Sequence, residues 1–146
     1  MKFPICAALL ALAATTTASL AQTDAALAAA AKEPGAVVTS SGLVYRSLAE
    51  GKGASPTASD TVKVHYRGTL ADGKEFDSSY KRGQPASFPL NRVVPCWTQA
   101  LQKLKVGGKA TLTCPPSTAY GARGIPNVIP PDSTLTFDVV LLSIGG

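Results

Sequence analysis

From Thr61 to Leu70 the chain alternates in polarity without a break. Val62, Val64 and Tyr66 fall on one side, and Thr61, Lys63, His65 and Arg67 on the other. A period of two belongs to a strand with one face buried and one face in water. Asp72-Gly73 follows at once. That dipeptide accepts the positive φ angles of a tight hairpin. Phe76 then opens the returning segment. A half-buried strand with its own hairpin requires an antiparallel sheet and an apolar layer to cover it.

The covering layer is legible further on. Trp97, Leu101 and Leu104 recur at i, i+4 and i+7, the spacing of one helix face. Gln99, Gln102, Lys103 and Lys105 point elsewhere, and Gly107-Gly108 closes the helix. Other stretches read as strands. Leu43–Leu48 is one. Ser87–Leu90 is a short edge strand, because Pro89 lacks the N–H that a central strand needs. In Lys109–Cys114, Ala110, Leu112 and Cys114 share a face until Pro115-Pro116 stops the run. In Thr134–Ile144, Leu135, Phe137, Val139 and Leu141 do the same. Gly51–Ser59 and Thr118–Asp132 are loops. The expectation is an α+β domain of four to six antiparallel strands with one amphipathic helix packed on a face.

The first residues have a different character. Lys2, the apolar run Ile5–Ala14 and the small residues up to Ser19-Leu20-Ala21 read as a secretory signal peptide over residues 1–21. The apolar run is too short for a membrane span, which takes about 20 residues. Residues 22–40 read as a spacer. The alanines from Ala25 to Ala31 favour helix but fall short of the ~12–15 residues an isolated helix needs, and Pro34-Gly35 ends them. A dimerisation helix there would want several heptads of apolar repeat. The main domain is thus expected over residues 41–146.

Composition removes several function classes. A hydrophobic content of 45% supports a core and argues against wholesale disorder. The formal charge of +5 is spread along the chain, unlike the clustered stripe of a nucleic-acid protein, so no nucleic-acid partner is expected. His65 is the single histidine, which removes multi-histidine metal sites. On the polar side of its strand it reads as a rim residue. No Gly-x-Ser-x-Gly elbow accompanies it, and Gly51-x-Gly53 lacks the third glycine of a dinucleotide loop. No metal and no cofactor are expected.

Loss of the leader would remove Cys6 and leave Cys96 and Cys114. In an oxidising compartment an isolated pair usually cross-links. Cys114 points inward, and Cys96 sits just before the helix that covers that sheet. Closing the loop of about 17 residues would stabilise the fold by roughly 3 kcal/mol. Two buried free thiols are the alternative, while a redox-active pair would want Cys-x-x-Cys. The aromatic residues Tyr66, Phe76, Phe88, Trp97, Tyr120 and Phe137 fit either a core or a pocket. A buried phenol needs a polar partner, and Asp77 is placed to supply one to Tyr66 or Tyr120.

Several separated motifs carry a resemblance. They are Val64-His65-Tyr66-Arg67-Gly68-Thr69-Leu70, Asp72-Gly73-Lys74-Glu75-Phe76-Asp77-Ser78-Ser79 and Val93-Val94-Pro95-Cys96-Trp97. Ala119-Tyr120-Gly121-Ala122-Arg123-Gly124-Ile125-Pro126 leads on to Ile129-Pro130-Pro131, and Ser133-Thr134-Leu135-Thr136-Phe137-Asp138-Val139 closes the set. In this order, from about Ser41 to Ile144, they resemble the FKBP-type peptidyl-prolyl cis–trans isomerases. The likeness is greatest to the exported bacterial forms of the macrophage-infectivity-potentiator and FkpA-like group.

The resemblance implies a twisted antiparallel sheet of five to six strands wrapped around one short helix. It implies a proline pocket made by Tyr66, Phe76, Asp77, Val93, Val94, Trp97, Tyr120, Ile129 and Phe137, with Phe88, Ile125 and Val128 as further substrate contacts. Trp97 would be the floor and Tyr66, Phe76 and Phe137 the walls. The Val94 N–H and the Tyr120 hydroxyl would bind substrate carbonyls, and Asp77 would hold the Tyr66 phenol. Ala86 stands where many members carry an aromatic ring, so Phe88 is expected to substitute in part. Ile125 stands at a position that is often His. Cys96 replaces a common Gly and Cys114 a common aliphatic residue, a joint change that a bridge would require. The implied activity is isomerisation of X–Pro bonds in exported, proline-containing polypeptides. It brings inhibition by macrolides such as rapamycin and a periplasmic or secreted location. Without the group's long N-terminal helix, a monomer is expected. The alternative is a non-catalytic periplasmic chaperone or peptide-binding module.

Overall fold

The computed structural model of the chain describes residues 18–145. The expected leader over residues 1–21 lies outside them as far as residue 17. Seven strands form one antiparallel sheet: β1 (Ala36–Val38), β2 (Val44–Ala49), β3 (Thr61–Leu70), β4 (Glu75–Ser78), β5 (Ala86–Pro89), β6 (Lys109–Cys114) and β7 (Leu135–Ile144). Three α-helices accompany them among the described residues: α1 (Ala18–Ala31), α2 (Ser79–Arg82) and α3 (Pro95–Leu101). The sheet runs β1-β2-β6-β7-β3-β4, with β5 beside β3. The α+β class is as expected, and α3 is the helix at the core. The sheet has more strands than the expected five to six. It begins at Ala36, ahead of the expected boundary at Ser41.

Two helical segments depart from the expectation. The alanine-rich stretch is a helix because it has a partner: α1 lies against β1, β2 and β6. Ala26 and Ala30 face Val44, Thr111, Thr113 and Thr136 across a shallow hollow. Those threonines alternate with the buried Ala110, Leu112 and Leu135, so α1 covers the sheet face opposite α3. Tertiary contact supplies what the isolated segment lacks. In turn, α3 is shorter than the apolar spacing suggests. Pro95 starts it, its missing N–H being no loss in a first turn. After Leu101 the bonding tightens to i→i+3, from Lys103 N–H to the Ala100 carbonyl and from Leu104 N–H to the Leu101 carbonyl. Leu104 therefore still reaches the core, at 2% exposure.

Pairing of β3 with β7 is the longest ladder, from Leu70 opposite Leu135 to Val62 opposite Ile144. The other edge of β3 is shared. β5 pairs with Thr61–Val64 and β4 pairs with Arg67–Thr69. On that edge, between them, the backbone of Tyr66 meets no strand. The Ser79 hydroxyl fills that gap. It accepts from the Tyr66 N–H at 2.8 Å and donates to the Tyr66 carbonyl at 3.3 Å. His65 Nδ1 lies 2.8 Å from Ser79 Oγ, and its imidazole stacks on Tyr80 at 4.7 Å. Ser79 is fully buried at the first turn of α2, which Ser78 caps by accepting from the Lys81 N–H.

Cys96 and Cys114 form a disulfide, with Cα atoms 5.9 Å apart. It ties the first turn of α3 to the end of β6, and both residues are fully buried. Of the two readings open in the sequence, the bridge is the one present.

Two measurements test this account. Replacing both Cys96 and Cys114 by Ala lowers stability by about 3 kcal/mol in a urea titration, the loop-closure value for a separation of this size. Ser79→Ala strands the Tyr66 amide and carbonyl between two strands. It costs about 1–3 kcal/mol in the same titration.

Candidate active site

A cleft of about 410 Å3 opens over the N-terminal turn of α3. Its floor is the indole of Trp97, 4% exposed. Three rings stand nearly perpendicular to it: Tyr66 at 5.2 Å, Phe88 at 5.2 Å and Phe137 at 5.3 Å between centroids. Edge-to-face contact of this kind is the favoured arrangement for aromatic pairs. Phe76 continues the wall, edge-on to Phe137 at 5.6 Å. The indole Nε1 has no hydrogen-bond acceptor among the described residues.

Each ring arrives from a different element. Tyr66 lies on the inward face of β3, where the alternation of Thr61–Leu70 puts it. Phe137 lies on β7, opposite Gly68 in the ladder. A β-carbon at position 68 would sit 2.6 Å from the Phe76 ring and 2.9 Å from the Phe137 ring. Only glycine lets both phenyl groups close over the strand there. Phe88 comes from β5, on the same face as Ala86. With alanine at position 86, Phe88 supplies the ring that touches both Tyr66 and Trp97. Val93, Val94 and Arg92 complete the near rim, and Tyr120, on the loop after β6, stands over the far one.

The polar end of the cleft is a closed set of hydrogen bonds. The Tyr66 hydroxyl donates to Asp77 Oδ2 at 2.5 Å. Arg82 donates from one nitrogen to Asp77 Oδ1 at 2.6 Å and from the other to the Tyr66 oxygen at 2.9 Å. The Ser78 N–H donates to Asp77 Oδ1 at 2.9 Å. Burial alone would push the Asp77 carboxyl up. The hydrogen bonds from Tyr66 and Arg82, the Arg82 charge and the Ser78 amide outweigh it and hold the group below the usual carboxylate range. Burial, and then the bond to Asp77, push the Tyr66 phenol up despite Arg82. Burial and then the Asp77 charge do the same for Tyr120. Asp77 is thus a fixed anion with its lone pairs engaged, and both phenols keep their protons. The cleft offers an aromatic, largely apolar hollow with hydrogen-bond donors at its edge rather than a nucleophile or a general base.

Most of the residues expected at the site converge here: Tyr66, Phe76, Asp77, Phe88, Val93, Val94, Trp97, Tyr120 and Phe137 all line the cleft. Ile125, Val128 and Ile129 do not. They line a neighbouring hollow with Leu70 and Pro130. The loop folds back through Asn127, at φ +63°, so that the Ile125 and Ile129 amides exchange hydrogen bonds at 2.8 Å. Ile129 is thereby driven into the core and Val128 left at the exposed tip. Arg82 and Arg92 were not among the expected site residues. A capping Ser78 in front of a short polar stretch is the signal for a turn of helix that would bring Arg82 back onto Asp77.

A family model described as FKBP-type peptidyl-prolyl cis-trans isomerase matches residues 52–142. The chain is 56% identical over 114 residues to FkpA of Escherichia coli K12, covering 78% of this chain and 42% of that protein. It is 47% identical over 118 residues to the peptidyl-prolyl cis-trans isomerase Mip of Coxiella burnetii, covering 81% and 51%. The chain spans about half the length of the curated relatives it matches. Among solved structures, FkpA from Escherichia coli superposes with a TM-score of 0.85 at 50% identity, over 88% of this chain and 60% of that one. A Pseudomonas syringae peptidyl-prolyl isomerase does so with a TM-score of 0.82 at 35% identity, over 93% and 100%. With this cleft, this sheet and this match over most of its sheet-forming residues, the chain belongs to the FKBP-type peptidyl-prolyl cis-trans isomerase family.

Proposed function

We propose that the protein is a peptidyl-prolyl cis–trans isomerase acting on exported, proline-containing chains. The single observation that carries this is an open apolar cleft floored by a buried indole, with its only carboxylate locked in a hydrogen-bonded set. Rotation about X–Pro crosses a barrier of ~18–20 kcal/mol and takes tens to hundreds of seconds unaided. The planar amide is charge-separated by resonance, and water stabilises that form. Twisting removes the resonance and lowers the polarity. A dry aromatic hollow that holds the prolyl ring on Trp97 penalises the planar amide and binds the twisted one better.

The roles follow from position. Phe76, Phe137 and Tyr66 wall the ring, with Phe88 standing beside it. The Val94 N–H, before the first turn of α3, and the Tyr120 hydroxyl take the flanking carbonyls. Asp77 and Arg82 fix the Tyr66 ring. An acceleration of about 10⁴ needs roughly 5.5 kcal/mol off the barrier, within reach of such a cleft with two fixed hydrogen bonds. The buried disulfide and the leader-like start of the sequence support an exported, oxidising location. The cleft also suits a macrolide such as rapamycin.

A protease-coupled assay on a Leu-Pro-Phe peptide tests the reading. Isomerisation rises above background and rapamycin abolishes the gain. Asp77→Leu lowers kcat/KM by about tenfold or more, the cost of one charge-assisted bond. Background rates from a folded protein whose Trp97 emission still responds to the peptide would leave a peptide-binding module instead.

The second test is pH. Asp77 is depressed, so its bonds persist while it is ionised and break only as pH falls through its lowered pKa. In a protease-free NMR exchange assay, kcat/KM therefore holds through the ordinary carboxylate range near pH 4 and declines only below it. Asp77→Asn removes that acid limb.

A further inference from the structure

Two charged side chains, Asp77 and Arg92, line the cleft. Asp77 is saturated by Tyr66, Arg82 and the Ser78 amide, and Arg82 is spent on Asp77 and Tyr66. Arg92 is different. It is exposed, it lines the cleft, and it has no ion pair among the described residues. Its backbone is nonetheless held. It ends a one-turn 3-10 helix, Leu90–Arg92, whose Leu90 is fully buried. The Leu90 N–H bonds the Asp60 carbonyl at 2.9 Å, and the Thr98 hydroxyl of α3 bonds the Leu90 carbonyl at 2.6 Å. The turn runs straight into Val93 and Val94. A guanidinium is thus fixed at its root, two residues from the Val94 amide, on the rim of a cleft lined mainly by apolar and aromatic side chains.

We propose that Arg92 is a specificity-determining residue that favours substrates in which an acidic side chain adjoins the proline. This rests on the isomerase reading of the cleft and names the class of chain it prefers. The prolyl ring occupies the apolar floor. A neighbouring Asp or Glu finds a cation on the cleft's rim that no carboxylate among the described residues has taken, while a Lys at the same place is repelled. The pair is solvent-exposed, so its effect is modest and falls with salt.

The test uses two sets of tetrapeptides carrying Glu, Gln or Lys, one set just before the proline and one just after it. Binding is read from Trp97 fluorescence and turnover from NMR exchange. At low ionic strength the Glu peptide of at least one set binds about two- to fivefold tighter than its Lys twin, and about 0.5 M salt brings the ratio near one. Arg92→Gln levels the two peptides and Arg92→Glu inverts their order. If Arg92→Glu does not fold, the Gln variant decides. Equal affinity for Glu and Lys peptides in both sets overturns the proposal, as does a preference that survives Arg92→Glu. Turnover without charge discrimination sinks Arg92 alone. Binding without turnover of any peptide sinks the isomerase reading and leaves the ratio to judge Arg92.

Discussion

The cleft depends on the pairing of β3 with β7. That one ladder sets Tyr66 beside Val139 and Gly68 beside Phe137. It thereby brings two aromatic walls, more than 60 positions apart in sequence, to the same side of the sheet. Slippage by one residue would turn both outward, because side chains on a strand alternate faces. Alternating apolar residues on both strands make such slippage expensive: Val62, Val64, Val139 and Leu141 are fully buried in the correct register. The indole of Trp97 then inserts beneath rings whose positions the sheet has already decided.

The parts of this arrangement that were legible in the sequence are those with a short period. The alternation of Thr61–Leu70 predicted β3 with the bounds it has, and Asp72-Gly73 predicted its hairpin. There, Gly73 takes φ +91° and the Asp72 side chain accepts from the Lys74 amide. A bridge between Cys96 and Cys114 was one of two open readings, because one pointed inward and the other sat just before the covering helix. Phe88 could be placed because Pro89 forced its strand to an edge.

The parts that were not legible depend on partners distant in sequence. No local pattern says that an alanine-rich stretch will find the threonine face of β6 and become α1. No period reveals that Ser79 will act as a missing strand, since a lone serine hydroxyl has no repeat. Ile125 and Val128 were expected as substrate contacts on the strength of the resemblance alone. The bridge between Ile125 and Ile129 turns them toward a hollow of their own. Arg82 and Arg92 belong to short turns, where a charged residue's bearing depends on one φ/ψ pair rather than on a face.

The shared edge of β3 has a consequence for how such a domain can diversify. Everything between β4 and β5 joins the sheet through side chains and a four-residue helical turn rather than through a strand ladder: the Ser79 hydroxyl, the Tyr80 ring on His65, and Arg82 on Asp77 and Tyr66. Insertions or exchanges there leave the central ladder untouched. The rim of the cleft can therefore be rebuilt as a module, while the floor and its covalent tether stay as they are.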